Sequence, residues 1–227
     1  MRMAVQKLAL MLALLAGCAG AQSNLVAIAL VGDSTVAKGS GWGSAFAELF
    51  DGQVSVRNFA VGGRSSKSFL GENRWRPVLA AKPSYVIIQF GHNDQPGKGP
   101  DRETDPATTF RDNLKRYVDE ARQAEAEPIL VTSLVRRQFG PDGTILSSLA
   151  PYAEGTRAVA KERNVPLLDL HAWSETYYNG IGQEAAKAHD PKSGDVTHLN
   201  AKGAKVIAQG IAELLKRQGH PLSVHLK

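Results

Sequence analysis

Five stretches of the chain, 25–31, 54–60, 85–91, 128–135 and 165–170, are apolar or β-branched runs of strand length. Between them the apolar positions recur at helical spacing, over 42–50, more weakly near 75–81, then over 110–126, 152–164 and 199–218. In the last of these Ile207, Ile211, Leu214 and Leu215 share one face. Asp105-Pro106 reads as N-cap and first helical residue ahead of Phe110. Strands that are unbroken runs, separated by helices, indicate a parallel sheet covered on both faces. The fold class expected is therefore three-layer α/β/α. Two polar insertions interrupt the pattern. Residues 136–149, with Pro141-Asp142-Gly143-Thr144 as a turn, read as a hairpin or lid, and 171–196 reads as a polar stretch holding Trp173, Tyr177 and Tyr178. No internal repeat or linker divides the chain, so 22–227 is expected to be one domain.

Composition narrows this further. The 227 residues are 43% hydrophobic and 22% charged, with 22 Gly and 11 Pro, which excludes collagenous, coiled-coil and wholly disordered chains. A single cysteine excludes a disulfide framework. The net charge of +5 comes from 27 basic and 22 acidic residues, and setting Arg2 and Lys7 aside leaves +3. That balance is too even, and too dispersed, for a nucleic-acid partner.

Arg2 and Lys7 precede an unbroken apolar run over 8–16, the pattern of a signal peptide spanning 1–21. Nine residues rise only about 13 Å as a helix, too little for a hydrocarbon core of about 30 Å. Two cleavages fit. Leu15-Ala16-Gly17-Cys18 resembles a lipobox, which would attach the chain to a membrane through lipidated Cys18, and Ala19-Gly20-Ala21 suits ordinary secretion. Either way the chain is expected to be exported, to a bacterial periplasm or cell envelope or to the medium.

In open α/β sheets function gathers where the strands end. After the first run stands Gly32-Asp33-Ser34-Thr35, which places a serine on a glycine-assisted turn, although a serine that only caps the next helix fits as well. Asp195-Val196-Thr197-His198 puts a carboxylate and an imidazole on one side of a tight turn, so Asp195 can orient His198 and His198 can take a proton from Ser34. A loop cap and an ordinary surface histidine are the bland alternative. Gly62-Gly63-Arg64-Ser65 and Gly91-His92-Asn93-Asp94 follow the second and third runs. Each is ordinary turn chemistry alone, but Gly63, the Asn93 amide and the Ser34 N–H could together meet a developing oxyanion.

Taken in order, these four blocks resemble those of the SGNH (Gly-Asp-Ser-Leu) hydrolase superfamily. Within it, Gly63-Arg64-Ser65-Ser66, Phe90-Gly91-His92-Asn93-Asp94, Asp195-Val196-Thr197-His198-Leu199-Asn200 and Arg136-Arg137-x-Phe139 look most like rhamnogalacturonan acetylesterases. The resemblance implies a five-stranded parallel sheet of order 2-1-3-4-5, a Ser34–His198–Asp195 triad, and an oxyanion hole of Ser34, Gly63 and Asn93. It implies a serine esterase that removes acetyl groups from an acetylated oligo- or polysaccharide such as pectin. Arg64, His92 and Arg137 are read as substrate-binding, since arginine forks suit uronate carboxylates. Trp42, Trp75, Trp173, Tyr177 and Tyr178 either offer flat faces to sugars or pack in the core. No metal or cofactor is expected, because the six histidines show no ligand spacing. A lipolytic esterase or thioesterase of the same superfamily is the alternative, although Thr35 replaces the leucine commoner there. A non-catalytic binding lipoprotein would lack one of the four roles, and none is missing.

Overall fold

The computed structural model describes residues 25–227, so the leader and Cys18 lie outside the described residues. Strands β1 (Val26–Gly32), β2 (Val54–Asn58), β3 (Tyr85–Gln89), β4 (Glu127–Val131) and β5 (Leu167–Leu168) form one parallel sheet of order β2-β1-β3-β4-β5. Seven helices surround it: α1 (Gly43–Ala47), α2 (Ser66–Gly71), α3 (Trp75–Ala80), α4 (Thr109–Gln123), α5 (Ala150–Arg163), α6 (Leu170–Ala186) and α7 (Ala201–Arg217).

Strands β1, β3 and β4 are apolar runs because they feed two cores, whereas the edge strand β2 packs only Val54 and Val56 against one. Ile28 and Leu30 of β1, Ile87 of β3 and Ile129 of β4 pack with Trp42, Phe46, Ile207, Ile211 and Leu215 beneath α1 and α7. Their neighbours Ala29, Val31, Val86, Ile88 and Leu130 pack on the opposite face with Phe69, Trp75, Phe110, Leu114 and Tyr117. Side chains of period two thus serve both layers, each buried aliphatic contributing about 1.5–3 kcal/mol.

Several elements differ from the sequence reading, each for a local reason. The run over 128–135 pairs only to Val131, because its partner β5 has two residues before Asp169 begins a helix. Asp105 is not the cap of α4. Its carboxylate closes a turn on the Ala107 and Thr108 N–H groups, and α4 starts only at Thr109. The expected helix over 42–50 is the single short α1. The short α2 was hidden because a capping box between Ser65 and Ser68, rather than an apolar stripe, starts it.

The largest correction is α6, within the stretch read as polar. It buries Leu170, His171, Ser174 and Tyr178, so polar tips disguise its inner face. Most of those polar atoms find partners: His171 Nδ1 lies 2.9 Å from the Ser133 carbonyl, and Ser174 Oγ accepts from the Val135 N–H at 3.2 Å, while His171 Nε2 has none among the described residues. Gly182, with φ of 76°, breaks the helix late, which further scrambles its periodicity. Within 136–149, Phe139 and Ile145 form an antiparallel bridge and Gly140 N–H donates to Thr144 O, so the segment is a hairpin.

Candidate active site

Four loops meet at the carboxyl edge of the sheet. Ser34 follows β1, and its Oγ lies 3.0 Å from His198 Nε2. His198 Nδ1 lies 3.0 and 3.2 Å from the two Asp195 carboxylate oxygens. With Asp195 ionised, Nδ1 carries the proton that faces the carboxylate, and Nε2 is left to accept from the Ser34 hydroxyl. Burial raises the Asp195 pKa, but the His198 N–H, the His198 ring and the Thr197 N–H outweigh it and hold the acid at about 2.

The segment carrying Asp195 and His198 has no regular structure, so other groups must fix it. Leu199 N–H donates to Ser40 O, and Ser40 Oγ to Ser34 O, which ties the histidine loop to the serine loop. From beneath, the Arg137 guanidinium donates to the Asp195 carbonyl at 2.8 Å and the His198 carbonyl at 2.5 Å, while its Nε pairs with Asp190 at 2.7 Å. Asn200 caps α7 through the Gly203 N–H, and its own side-chain amide holds the carbonyls of Ala188 and Asp190. Arg136 reaches Thr197 Oγ1, Gln95 Oε1 and the His92 carbonyl.

Ser34 is flanked by the connections after β2 and β3, because β1 lies between those strands in the sheet. Among the described residues, the Ser34 and Gly63 N–H groups have no hydrogen-bond partner. Gly63 has φ of 77°, a conformation L side chains rarely adopt. Asn93 Nδ2 donates one hydrogen to Arg64 O at 3.1 Å, leaving its second free. A side chain at Gly91 would collide with Ser133 Oγ, so the turn that presents Asn93 requires glycine. The structure thus brings together Ser34, Gly63, Asn93, Asp195 and His198. Ser34, Asn93, Asp195 and His198 line an open cleft of about 370 Å³, and Gly63 is not part of its wall.

Of the three residues expected to bind substrate, His92 lines the cleft, whereas Arg137 and Arg64 stand outside its wall. Arg137 is buried, and its guanidinium is committed to Asp190 and two loop carbonyls; it borders a neighbouring cavity of about 590 Å³, not the cleft holding Ser34. Both His92 ring nitrogens are buried, with Nδ1 3.5 Å from Asp33 Oδ2, and burial lowers its pKa against the pull of Asp33. Arg64 is tied to Glu72 and to the Gly62 carbonyl and stands outside the cleft wall. Trp42, Trp75 and Tyr178 are core residues. The Trp173 ring packs against Gly210 of α7 and is parallel to Tyr177 at 5.3 Å, away from the cleft that holds Ser34. A larger cavity, about 640 Å³, adjoins that pair between α6 and α7 and includes none of Ser34, Asp195 and His198.

The cleft holds cations that the sequence reading missed. Lys98 and Lys192 line it beside Arg136, and among the described residues neither lysine has an ion-pair partner. Asp195 is the only acid in that wall, and it faces His198. Neither lysine sits in a motif, so spacing gave no sign of them. Among the described residues no three His, Cys, Asp or Glu side chains converge as a metal centre would.

Comparison with known proteins extends this picture. Residues 30–206 match the model of the GDSL-like lipase/acylhydrolase family. The chain is 37% identical to rhamnogalacturonan acetylesterase RhgT of Bacillus subtilis, covering 88% of this chain and 94% of that protein. It is 34% identical to the probable rhamnogalacturonan acetylesterase YesY of the same organism, over 86% and 95% of the two chains. Among solved structures, the YxiM protein of Bacillus subtilis superposes with a TM-score of 0.76 at 28% identity, covering 86% of this chain and 57% of that one.

Proposed function

This chain belongs to the GDSL-like lipase/acylhydrolase family, and on that premise we propose that it is a serine esterase removing O-acetyl groups from an acidic polysaccharide. The observation that carries this reading is the continuous line from Ser34 Oγ through His198 to Asp195, opening onto a cleft with free N–H donors. Ser34 Oγ attacks the acetyl carbonyl while His198 Nε2 takes its proton. The oxyanion forms against the Ser34 and Gly63 N–H groups and the free hydrogen of Asn93. His198 then gives the proton to the departing sugar oxygen, leaving acetyl on Ser34. Water, deprotonated by His198, releases acetate and restores the hydroxyl.

Acetyl on an anionic sugar suits this site better than a fatty acyl chain. Val196 is the one aliphatic residue in the cleft wall, whereas Lys98, Arg136 and Lys192 give it a positive potential. The two relatives named as rhamnogalacturonan acetylesterases support the same substrate. A leader over 1–21 suits an enzyme that meets such polymers outside the cytoplasm, soluble or held at a membrane through Cys18.

Acetate release from acetylated rhamnogalacturonan and from neutral acetylated xylan, beside aryl esters from acetyl to octanoyl, tests the proposal. Acetyl is expected to be preferred, and the charged glycan to have the lower KM. Lys98→Gln and Lys192→Gln should each raise that KM by up to about 5-fold, the worth of a partly exposed ion pair, with the effect fading in salt. Preference for octanoyl, or no acetate from either glycan, would overturn the reading.

Asp195→Asn keeps the shape of the carboxylate but loses its charge and presents the wrong hydrogen-bonding group to Nδ1. A fall in kcat of about 10⁴-fold is expected, the penalty for misorienting the base. Because folding lowers this pKa to about 2, Asp195 stabilises the fold above its ordinary value of 3.8. That stabilisation is lost as pH falls through about 2. The Tm difference between wild type and Asp195→Asn should therefore shrink on acidification across that interval; a constant difference would contradict the assignment.

A further inference from the structure

Gly63 and Asn93 stand on connections from strands that are not neighbours, since β1 separates β2 from β3. With strands about 4.8 Å apart, their origins lie about 10 Å from each other. Both donors must nonetheless converge on one oxygen over Ser34. Something has to draw the two loops together across the end of β1.

One buried side chain spans that gap. Asp94, adjacent to Asn93, has no exposed surface. Its Oδ1 accepts from Ser66 Oγ at 2.5 Å, Ser66 N–H at 3.1 Å and Thr104 Oγ1 at 3.1 Å. Its Oδ2 accepts from Gly91 N–H at 3.0 Å and shares the Ser66 N–H at 3.2 Å. Ser66 follows Gly63 by three residues, and Gly91 opens the turn that presents Asn93. Tyr152 clamps the backbone from α5, its one hydroxyl hydrogen shared between the carbonyls of Asp94 and Thr104. From α4, Asn113 donates to Ser66 Oγ and Tyr117 to the Ser66 carbonyl.

We propose that Asp94 is the positioning residue of the oxyanion site, its carboxylate fixing the distance between the Gly63 N–H and the Asn93 amide. The inference rests on the esterase reading above. The polarity of the contacts requires a carboxylate. The Ser66 and Gly91 N–H groups can only donate, and Ser66 Oγ, already accepting from Asn113, has its hydrogen free for Asp94. An amide in the same place would turn an NH₂ group towards one of these donors. No cation pairs with Asp94 among the described residues, so these hydrogen bonds alone compensate its charge. Burial pushes its pKa up to about 7 against the donors from Ser66 and Thr104. The burial of this group is offset by the bonds with which it holds the two loops.

The test is a double-mutant cycle between Asp94→Asn and Asn93→Ala, read with an aryl acetate. Asn93→Ala, which removes a donor, should lower kcat about 10²–10³-fold. Asp94→Asn should lower kcat about 10–10²-fold with KM within about 3-fold, because the donors matter most in the transition state. Since Asp94 acts through the donors, the double variant should lose clearly less than the product of the single losses. Thr104→Val, which deletes one hydrogen bond to the same carboxylate, should show a smaller kcat loss with the same coupling, and it serves if Asp94→Asn does not fold. Wild-type kcat in either variant, or losses that multiply in full, would overturn the proposal. Ser34→Ala run alongside separates the two readings: if it stays active, the esterase mechanism itself fails.

Discussion

Ser34→Ala is expected to lower kcat for an acetyl ester by about 10⁴–10⁶-fold, leaving only what the oxyanion donors and substrate binding provide. The substitution removes one oxygen, whose partner is His198 Nε2. The backbone of the turn stays fixed, because Ser40 Oγ still holds the Ser34 carbonyl and the Asp33 carbonyl still accepts from Val36 and Ala37. Stability should therefore change by no more than about 1 kcal/mol. Loss of activity with an unchanged melting curve, measured by calorimetry beside ester hydrolysis, places the defect in the chemistry.

Arg137→Ala should do the opposite and damage the fold as well as the rate. Its guanidinium is the common anchor of Asp190, the Asp195 carbonyl and the His198 carbonyl, and it lies over the Tyr178 ring at 5.9 Å. Truncation leaves the nearly buried Asp190 carboxylate without its cation and two carbonyls without donors. Breaking one partner of a buried pair costs about 3–5 kcal/mol, or roughly 6–20 °C in Tm for a chain of this size. The loop carrying Asp195 and His198 should loosen with it, so kcat falls too. Arg137→Lys restores the charge beside Asp190 but not the fork, and should recover only part of both. A variant with wild-type Tm and kcat but a raised KM for a charged glycan would return Arg137 to substrate binding.

The fate of Arg137 shows where sequence stops being informative. Arg136 and Arg137 are adjacent after the same strand, and either could face a cleft. In the fold the Arg137 N–H bonds Val196 O and its side chain turns under the histidine loop, while Arg136 faces the cleft. Ser34, Gly63, Asn93, Asp195 and His198 were legible because each stands in a short block at a strand end or just before the last helix, where topology fixes its destination. Lys98 and Lys192 lie in irregular loops and belong to no periodicity, so their place in the cleft is a tertiary fact.

The same division holds for the fold. Strands β1, β3 and β4 announced themselves because two cores demand apolar residues along them, and the edge strand β2 through the valines it packs on one core. Helix α6 did not, since His171 and Ser174 bury polar tips that find partners only on the segment after β4, and Tyr178 one that meets His189. Helix α2 and the late start of α4 depend on side-chain hydrogen bonds from Ser65 and Asp105, which act over one turn and leave no hydrophobic trace.

The central claim is that the acyl group passes through Ser34. Acid quenching during turnover of an aryl acetate, followed by peptide mapping by mass spectrometry, reads this directly. One acetyl group is expected on the peptide carrying Ser34, and none on the matching peptide of Ser34→Ala. Turnover with Ser34 unmodified and the acetyl group on another side chain would contradict it.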